Sequence, residues 1–424
     1  MDTKKSIVIV GGGFAGTTLA RALDQRLPAG YELLLISEES YTTFTPMLPE
    51  ALGASIFPEQ VVAPIRLMLT NGRFVMGALL SINRETKTFT ASSLAGNITM
   101  PYEHLILAFG NRARLDLIQG AAEHAMPLKT IGDAMHIRNM VLRRIAQMEL
   151  ETDPVVKKRL GHFVVIGGGF SGVETAGELV DCLRSIQRYY KLVDPAHLKV
   201  TVLQAMDRLL AELSISLGKS ALCSLVARGV DVRLNTSAVL VTADEVQLTD
   251  GEKISTATVI STIGTRPNAI IEEIGLPTNY GRIVANDDMS VAGSPGIWAI
   301  GDCAEIMNAY DNKSAPPTAQ FAVREARCLA KNIMAVIDGR DTIPFRHRSL
   351  GAMAAIGYRK GVAEVFGIPI SGLPAWFLWR AYYLSQVPTL GRKIRIFVEW
   401  TWGMFFPNDI THLRFQRSKD IGKN

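Results

Sequence analysis

The chain carries one glycine-rich pattern twice, and this repeat constrains the fold more than any other feature. The first copy, SIVIVGGGFAGTTLA, covers residues 6–20, and the second, FVVIGGGFSGVETAGEL, covers residues 163–179. In each copy a strand-like apolar run leads into a glycine cluster and then into a helical stretch, with a second strand-like run beyond. This order is typical of the βαβ unit that binds a dinucleotide. The sequence therefore predicts two nucleotide-sized lobes.

Length and composition agree with two lobes and a smaller additional piece. The chain has 424 residues, of which 48% are hydrophobic and 20% are charged, as expected for a globular protein. The formal charge of +5 is mild and does not indicate a nucleic-acid partner. The first strand begins too early to leave room for a signal peptide, and no apolar run approaches the roughly 20 residues that span a bilayer. We therefore expect a protein on the cytoplasmic side, with at most peripheral membrane contact.

The first copy places Gly11, Gly13 and Gly16 at the three fingerprint positions. The first glycine permits the tight turn, the second lets the backbone approach a pyrophosphate, and the third lets the helix pack closely on the strand. Glycines also serve simply as turn residues, but the flanking strand, the helix and a following acid favour the binding interpretation. The position that closes the second strand, where a ribose-binding residue is expected, is either Ser37 or Glu38. We prefer Glu38 because a carboxylate can accept hydrogen bonds from both ribose hydroxyls.

The second copy repeats the arrangement with Gly167, Gly169 and Gly172. Glu174 is predicted in the first turn of the following helix, either as an acid favoured by the helix dipole or as a group beside a nicotinamide ring. Gln204 stands where the second strand ends and a ribose-binding acid is expected. A carboxylate would repel the 2′-phosphate of NADPH and an amide would not, so the choice between NADH and NADPH stays open.

Three further strands end in a glycine turn. GIWAIGDCAEI contains Gly301 and Asp302, and the carboxylate is interpreted as a contact to the ribityl or pyrophosphate part of a flavin. LILAFGNRA and VISTIGTRPN place Gly110 and Gly264 after the corresponding strands of the two lobes, where each returns the chain to its cofactor. The segment FTPMLPEALG, with Pro46, has too many prolines for a regular element and is predicted as a loop at the edge of the site.

Together these residues resemble the two-dinucleotide-binding-domain flavoproteins over nearly the whole chain. Within that family, YTTFTPMLPEALG, PPTAQFAVREA and the aromatic C-terminal tail are similar to type II NADH:quinone oxidoreductases, the single-subunit, non-pumping NADH dehydrogenases. The resemblance implies an α/β fold with two Rossmann-like, glutathione-reductase-like domains and a C-terminal membrane-associating region. We predict an FAD-binding domain in residues 1–115 and 285–344, an NAD(P)H-binding domain in 116–284, and the membrane-association or dimerisation region in 345–424.

The resemblance also implies the cofactors and the positions that hold them. FAD is expected in the first lobe and NADH or NADPH in the second, with Glu174 and Gln320 as positioning residues beside the reacting groups. Arg324 stands where a glutamine is frequent in that family, which puts its role toward quinone in question. The FAD candidates are Gly11, Gly13, Phe14, Ala15, Gly16, Ser37, Glu38, Pro46, Gly110, Gly301, Asp302, Ala319 and Gln320; the NAD(P)H candidates are Gly167, Gly169, Phe170, Gly172, Glu174, Gln204 and Gly264; the quinone candidates are Gln320, Arg324 and Lys360.

The implied reaction passes hydride from NAD(P)H to FAD and two electrons from FAD to a membrane quinone, ubiquinone or menaquinone. Three alternatives remain open. A soluble reductase with a protein acceptor such as ferredoxin would not need the tail, and a non-enzymatic nucleotide sensor would not turn over quinone. A sulfide:quinone oxidoreductase relies on cysteines near the flavin, and here only Cys303 is expected there. No metal site is predicted, because the four cysteines have no metal-ligand spacing.

Four of the five tryptophans lie in the tail, in LPAWFLWRAYYL and VEWTWGMFF, interleaved with basic residues. Helical spacing of aromatic, aliphatic and basic residues suits a helix in the headgroup region of the cytoplasmic membrane face. The competing interpretation is a tail packed on the body or on a second copy in a homodimer. Both uses of the tail are compatible.

Overall fold

The computed structural model describes residues 4–387 and 389–413, which form two compact units. Unit 1 contains the described residues up to Thr43 together with Val62–Arg112 and Thr265–Ser349. Unit 2 contains Phe44–Val61, Ala113–Gly264 and the described residues from Leu350 onward. The compact units therefore differ from the four predicted segments, because residues 44–61 and the tail pack with the second nucleotide-binding sheet. The functional assignment of the four segments stays a prediction.

A five-stranded parallel sheet forms the centre of unit 1. Its strands are rich in Ile, Val and Leu because both faces are covered, and every residue of Ile7–Val10 is buried. The helices Phe14–Leu23 and Ala319–Ile337 pack against each other and contribute to the same core. The strand order is Ile297–Ala299, His104–Leu107, Lys5–Val10, Tyr31–Ser37 and Arg73–Met76.

Smaller elements complete unit 1. A three-stranded antiparallel meander follows the fifth strand of the chain, and short paired strands lie before and after Gly301. These elements are Tyr41–Thr43, Val62–Pro64, Ile65–Met68 (3₁₀), Leu79–Asn83, Thr88–Ala91, Ile98–Pro101, Thr265–Pro267, Ile270–Glu273 (helix), Thr278–Asn279, Arg282–Ala285, Gly301–Cys303 (3₁₀), Ala304–Asn308 and Lys313–Ser314. The strand Asn111–Ala113 falls where the chain passes from unit 1 to unit 2.

A second five-stranded parallel sheet forms the centre of unit 2 and repeats the local order of the first. The glycine-rich helix Phe170–Ile186 follows its central strand, and an antiparallel hairpin forms around the TDGE turn. The strand order is Ala125–Pro127, Thr258–Ser261, His162–Ile166, Lys199–Leu203 and Asp231–Arg233. The other strands are Ala238–Val241, Glu245–Leu248, Lys253–Ser255, Gly351–Ala355, Gly361–Val365 and Ile368–Ser371.

The FTPMLPEALG segment is helical, so the predicted loop is wrong. A 3₁₀ turn, Thr45–Met47, leads into the short helix Leu48–Leu52, and a further helix, Pro58–Val61, follows. Pro46 and Pro49 are each the second residue of their helix, in the first turn, where a missing N–H costs nothing because it would have no intrahelical partner. The remaining helices of unit 2 before the tail are Ala121–His124, Ile131–Leu150, Pro154–Leu160, Gln187–Tyr189 (3₁₀), Pro195–His197 (3₁₀) and Ile215–Val226.

The tail forms the helices Leu373–Gln386 and Leu390–Trp402. Most of its tryptophan side chains are buried and so are not exposed to a lipid surface. Trp376, Trp379 and Trp400 are buried within unit 2, whereas Trp402 is 61% exposed. The packed interpretation therefore holds for three of the four rings. Among the described residues, every helix is too short or too polar to cross a membrane.

Candidate functional site

The candidate residues of unit 1 gather at the carboxyl end of the parallel sheet. Strand Lys5–Val10 runs into Gly11, strand Tyr31–Ser37 into Glu38, and the strands ending at Leu107 and Ala299 into the turns at Gly110 and Gly301. In open α/β sheets this edge is where ligands bind. The fold thus brings together four segments that are far apart in the sequence.

The three glycines of the first copy have three different surroundings. A Cβ atom on Gly11 would lie 2.2 Å from the carbonyl oxygen of Ala108, and Gly11 has a φ of +122° that favours glycine. A Cβ on Gly16 would lie 1.9 Å from the Gly11 oxygen. Gly13, by contrast, is the N-cap of helix Phe14–Leu23, has no neighbouring atom within 4 Å of its ideal Cβ, and supplies no side-chain cap. The helix N-terminus therefore has open space and N–H groups suited to an anion.

Both candidates for the ribose position of unit 1 are at this edge. Glu38 is half exposed and forms an ion pair with Arg112, which the sequence did not single out. Ser37 is largely buried, and its hydroxyl lies where a Cβ on Gly12 would be. Glu38 is thus the more accessible acceptor. Arg112 is the cation that a flavin nucleotide would meet beside it.

Asp302 lies in a turn that two other residues hold in place. The side-chain amide of Asn111 donates to its Oδ2 at 3.0 Å. The backbone N–H of Gly301, where φ is +73°, donates to Oε2 of Glu325 at 2.7 Å. Burial raises the pKa of Glu325 to about 7, against the lowering effects of that hydrogen bond and of Arg282. Glu325 lies one turn beyond Gln320, but nothing in the sequence pattern indicates its contact with Gly301.

The first two turns of helix Ala319–Ile337 carry the quinone candidates Gln320 and Arg324. Thr318 caps it by accepting from the Phe321 N–H, so this helix N-terminus, unlike that at Gly13, is closed by a side chain. Arg324 folds back to donate to the backbone oxygen of Gln320 at 3.2 Å. The Gln320 amide oxygen lies 3.3 Å from Nε2 of His347. Gln320, Arg324 and His347 therefore form one cluster, of which the sequence indicated the first two.

Unit 2 repeats the glycine geometry of unit 1. Gly167 has a φ of +109°, and a Cβ on Gly172 would lie 1.8 Å from the Gly167 oxygen. Gly169 is the N-cap of helix Phe170–Ile186, supplies no side-chain cap, and has no atom within 4 Å of its ideal Cβ. Gly264 in unit 2 and Gly110 in unit 1 both have positive φ, +64° and +65°, and open surroundings. Each unit thus has its own helix N-terminus with open space beside it.

Gln204 is engaged in the glycine turn of unit 2. Its amide oxygen accepts from the backbone N–H of Gly168 at 3.0 Å, and its amide nitrogen donates to the Arg208 oxygen at 3.0 Å. The side chain is buried, so the residue acts first as a clamp between the turn and the end of its strand. A glutamate could keep the first hydrogen bond but not the second, because a carboxylate cannot donate.

Glu174 is deeper in the helix than predicted. The helix begins at Phe170, so Glu174 is its fifth residue and lies past the first turn, where the dipole effect has faded. Its carboxyl group is buried and accepts from the Ala355 N–H at 3.0 Å. Burial raises the pKa of Glu174 well above its usual value, and the nearby acids Glu50 and Glu178 raise it further. The structure therefore places Glu174 as a buried carboxyl group that holds its proton to higher pH than an exposed glutamate does.

Glu174 belongs to a buried acidic cluster in unit 2 that the sequence did not indicate. Glu50 accepts from the Trp400 indole at 3.0 Å and lies 3.6 Å from Arg380. The Arg380 guanidinium is itself 4.7 Å from the Trp400 ring centroid and closer still to that of Trp376. Glu178 accepts from the Ser55 hydroxyl at 2.6 Å. Burial raises the pKa of Glu178 to about 8 and that of Glu50 in the same direction, with Arg380 opposing.

A cavity of about 510 Å³ within unit 2 reaches this cluster. Glu178 and Arg380 line its inner wall, and Phe57, Trp402 and Phe406 line its outer part. The remaining candidates of unit 2 are Pro46, in the 3₁₀ turn described above, and Lys360, in the turn between strands Gly351–Ala355 and Gly361–Val365. Both lie outside unit 1, where most of the FAD and quinone candidates are found.

The cysteines give no support to sulfide chemistry. Cys303 is buried, and its thiol faces the backbone oxygens of Leu107 and Ile300 at 3.4 and 3.3 Å. Burial raises the pKa of Cys303 to about 12, so the reactive thiolate form is disfavoured. In the described part of the chain, all four cysteines are unpaired and no cluster of side chains suits a metal ion.

These two sites fit dinucleotides on the evidence of their own geometry. In each unit, a Cβ is excluded where the turn and helix approach each other, and space is left at the uncapped helix N-terminus where a pyrophosphate would bind. Glu38 in unit 1 and Gln204 in unit 2 follow the next strand, at the position where the ribose of a bound dinucleotide would lie. The residues present thus match FAD and a nicotinamide nucleotide in charge and shape.

Comparison with known proteins agrees with this geometry. The chain is 26% identical to a probable NADH dehydrogenase of Dictyostelium discoideum, covering 96% of this chain and 91% of that protein. It is 28% identical to a type II NADH:quinone oxidoreductase of Staphylococcus aureus, covering 92% and 96%. The fold matches that of NDH2 from Plasmodium falciparum, solved with NADH, at a TM-score of 0.90 and 20% identity over 96% of this chain and 100% of that one.

One family model matches a stretch of the sequence that contains both glycine-rich copies. Residues 5–326 match the family described as pyridine nucleotide-disulphide oxidoreductase. The match includes both glycine-rich copies and ends after Glu325. On this evidence, and with two nucleotide-binding sheets of the expected form, the chain belongs to the pyridine nucleotide-disulphide oxidoreductase family.

Proposed function

We propose that the protein is an FAD-dependent NAD(P)H:quinone oxidoreductase of the non-pumping, type II kind. The observation that carries this proposal is the similarity to NADH:quinone oxidoreductases over more than nine-tenths of the chain, tail included. The two open helix N-termini supply a site for each nucleotide. The chemistry supplied by bound FAD is acceptance of a hydride from NAD(P)H and transfer of two electrons to the quinone.

Unit 1 holds FAD in this proposal. The N–H groups at the start of helix Phe14–Leu23 bind the pyrophosphate, and Gly13 leaves room for it. Glu38 accepts from the ribose hydroxyls, and its ion pair with Arg112 fixes the carboxylate. Asp302 binds the ribityl or pyrophosphate part, and Asn111 orients its carboxylate.

Unit 2 holds NADH or NADPH. Gly169 leaves space for the second pyrophosphate, and Gln204 is the neutral group at the ribose position. Because Gln204 carries no charge, it does not repel a 2′-phosphate, and both nucleotides are accepted. Glu174, whose pKa is raised by burial, shapes the nicotinamide side of the site.

The quinone is reduced beside Gln320 and Arg324. Both residues carry N–H donors, and the two carbonyl oxygens of a quinone accept hydrogen bonds and gain negative charge as electrons arrive. Arg324 therefore stabilises the developing charge, in place of the glutamine that is frequent at this position in the resembling family. Lys360 lies in unit 2, and its role toward quinone stays a separate prediction.

We place the protein at the cytoplasmic membrane face through the exposed side of its second tail helix. Ile394, Phe397 and Val398 are each more than half exposed, and Trp402 continues the same face one turn on. The exposed Arg395 lies among them, which suits an anionic lipid surface.

Vesicle binding separates this surface from a dimer interface. Replacing Ile394, Phe397 and Val398 with serine should release the protein from vesicles of phosphatidylglycerol and phosphatidylcholine while the buried tryptophans stay packed. Replacing Leu150 and Val155, which are even more exposed and lie outside the tail, is the control. Loss of a dimer with unchanged vesicle binding would assign the face to a second copy instead.

Turnover with separate acceptors tests the activity itself. The purified protein should be yellow, and its steady-state rate should be measured with NADH or NADPH and a water-soluble quinone. Reduction of quinone by either nucleotide supports the proposal. Nucleotide oxidation that requires a ferredoxin-type protein, with quinone inactive, would assign the chain to the soluble reductases, and binding without turnover would make it a nucleotide sensor.

A further inference from the structure

His347 is a titratable residue of unit 1 with a fixed position beside the Gln320 side chain. Its backbone N–H donates to Oδ1 of Asn308 at 2.9 Å, and its backbone oxygen accepts from the Asn308 amide nitrogen at 2.8 Å. Asn308 is almost completely buried, and both ends of its amide bond to the His347 backbone. Such two-point attachment holds the segment around His347 in a single place on the unit.

The imidazole ring of His347 also has two contacts that fix its position. It packs edge to face on Phe321 with ring centroids 5.1 Å apart, and Phe321 is buried in the core of unit 1. The ring's Nε2 then lies 3.3 Å from Oε1 of Gln320. Because Phe321 follows Gln320 directly in the helix, one helical turn presents both the packing surface and the hydrogen-bond partner.

The charge state and the tautomer of the ring together determine what this contact does. Partial burial lowers the pKa of His347, and the nearby Arg324 lowers it further, so the imidazole is neutral at neutral pH. A neutral imidazole with its proton on Nε2 donates to an amide oxygen. The Gln320 oxygen is then turned toward His347, and the amide N–H₂ group lies on the opposite side of the side chain.

We infer that His347 carries its proton on Nε2 and is a positioning residue for quinone reduction, which holds the Gln320 amide with its N–H₂ group turned toward a carbonyl oxygen of the acceptor. The inference rests on the proposed function, in which Gln320 contacts the quinone. A quinone oxygen can only accept, so an amide rotated by half a turn would place oxygen against oxygen. His347 excludes that rotated state, because Nε2–H cannot pair with an N–H₂ group.

The test uses the complete flavin-loaded protein and three variants of one segment. His347→Phe keeps an aromatic ring on Phe321 but removes the donor, His347→Gln restores a donor, and Arg348→Gln alters an exposed neighbour as a control. For His347→Phe we expect the KM for a water-soluble quinone to rise about 2- to 12-fold, the effect of one neutral hydrogen bond. NADH:ferricyanide activity should not change, because that acceptor has no carbonyl oxygen. His347→Gln should recover most of the loss, and Arg348→Gln should match the parent protein.

A double-mutant cycle with Gln320→Ala decides between positioning and general damage. If His347 acts through Gln320, then His347→Phe should add no further rise in quinone KM once the Gln320 amide is absent. Additive effects, or a parallel fall in ferricyanide activity, would overturn the inference. An unchanged quinone KM in Gln320→Ala would also overturn it, while leaving NADH:quinone activity in place; absence of quinone reduction by the parent protein would instead refute the proposed function.

Discussion

Replacing Glu178 with glutamine should stabilise the protein, and the gain should grow with pH. The carboxyl group is buried, and burial raises its pKa from a usual 4.5 to about 8. Between these values the folded protein keeps the proton while the unfolded chain releases it, so the parent protein loses stability as pH rises. Glutamine has no such titration, and its amide oxygen can still accept from the Ser55 hydroxyl.

The size of the effect follows from the two pKa values. Each pH unit between them costs the parent about 1.4 kcal/mol, so the loss between pH 4.5 and pH 8 is on the order of 5 kcal/mol. The advantage of the variant should therefore be small near pH 5, rise through neutral pH, and level off above about pH 8. Glu50 and Asp181 contribute to the raised pKa, so their own carboxylates must stay in place during the comparison.

Urea unfolding followed by circular dichroism, at a series of pH values, measures this difference directly. Glu212→Gln is the matched control, because Glu212 is an exposed acid of the same unit and should show no comparable slope. A stability difference that does not change with pH, or that turns against the variant in alkali, would show that Glu178 is ionised in the folded protein. Burial would then not keep the Glu178 carboxyl group protonated at neutral pH.

Three other substitutions test separate parts of the structure. Gly13→Ala adds a Cβ where no protein atom lies within 4 Å and where the pyrophosphate is proposed to bind, so it should weaken FAD retention with little change in the stability of the apoprotein. Gly16→Ala instead places a Cβ 1.9 Å from a backbone oxygen and should lower the free energy of unfolding by about 1–3 kcal/mol or more in denaturant unfolding. Gln204→Glu should lower kcat/KM for NADPH relative to NADH by about tenfold, because its carboxylate, unable to donate to the Arg208 oxygen, turns toward the 2′-phosphate. Arg380→Met should cost about 3–5 kcal/mol of unfolding free energy at neutral pH, since it leaves the buried Glu50 carboxylate without its cation.

The sequence predicts the parts of the fold that depend on local pattern. The two glycine-rich copies indicate both parallel sheets, because strand hydrophobicity, the turn and the helix start are encoded within about 20 residues. The prediction of a loop at FTPMLPEALG is wrong because proline count alone does not distinguish a helix interior from its first turn. Pro46 and Pro49 take that first-turn position.

The side-chain partners could not be predicted from the sequence. Glu325 bonds to Gly301 across 24 positions, and His347 meets Gln320 across 27, so each contact depends on tertiary packing and has no local signal. The burial of Glu174 likewise depends on strand Gly351–Ala355, which is far away in the chain. The sequence therefore shows which residue types occupy the motif positions, whereas the pKa shifts and hydrogen-bond partners of their side chains depend on the tertiary structure.

The central claim is that electrons pass from a nicotinamide nucleotide through FAD to a quinone. Anaerobic absorbance spectroscopy of the purified protein tests it most directly, with NADH added first and a soluble quinone added once the nucleotide is exhausted. We predict that NADH bleaches the flavin band and that quinone restores it at a rate compatible with turnover. A flavin that NADH reduces but quinone leaves reduced would contradict the claim, as would a protein that binds no flavin.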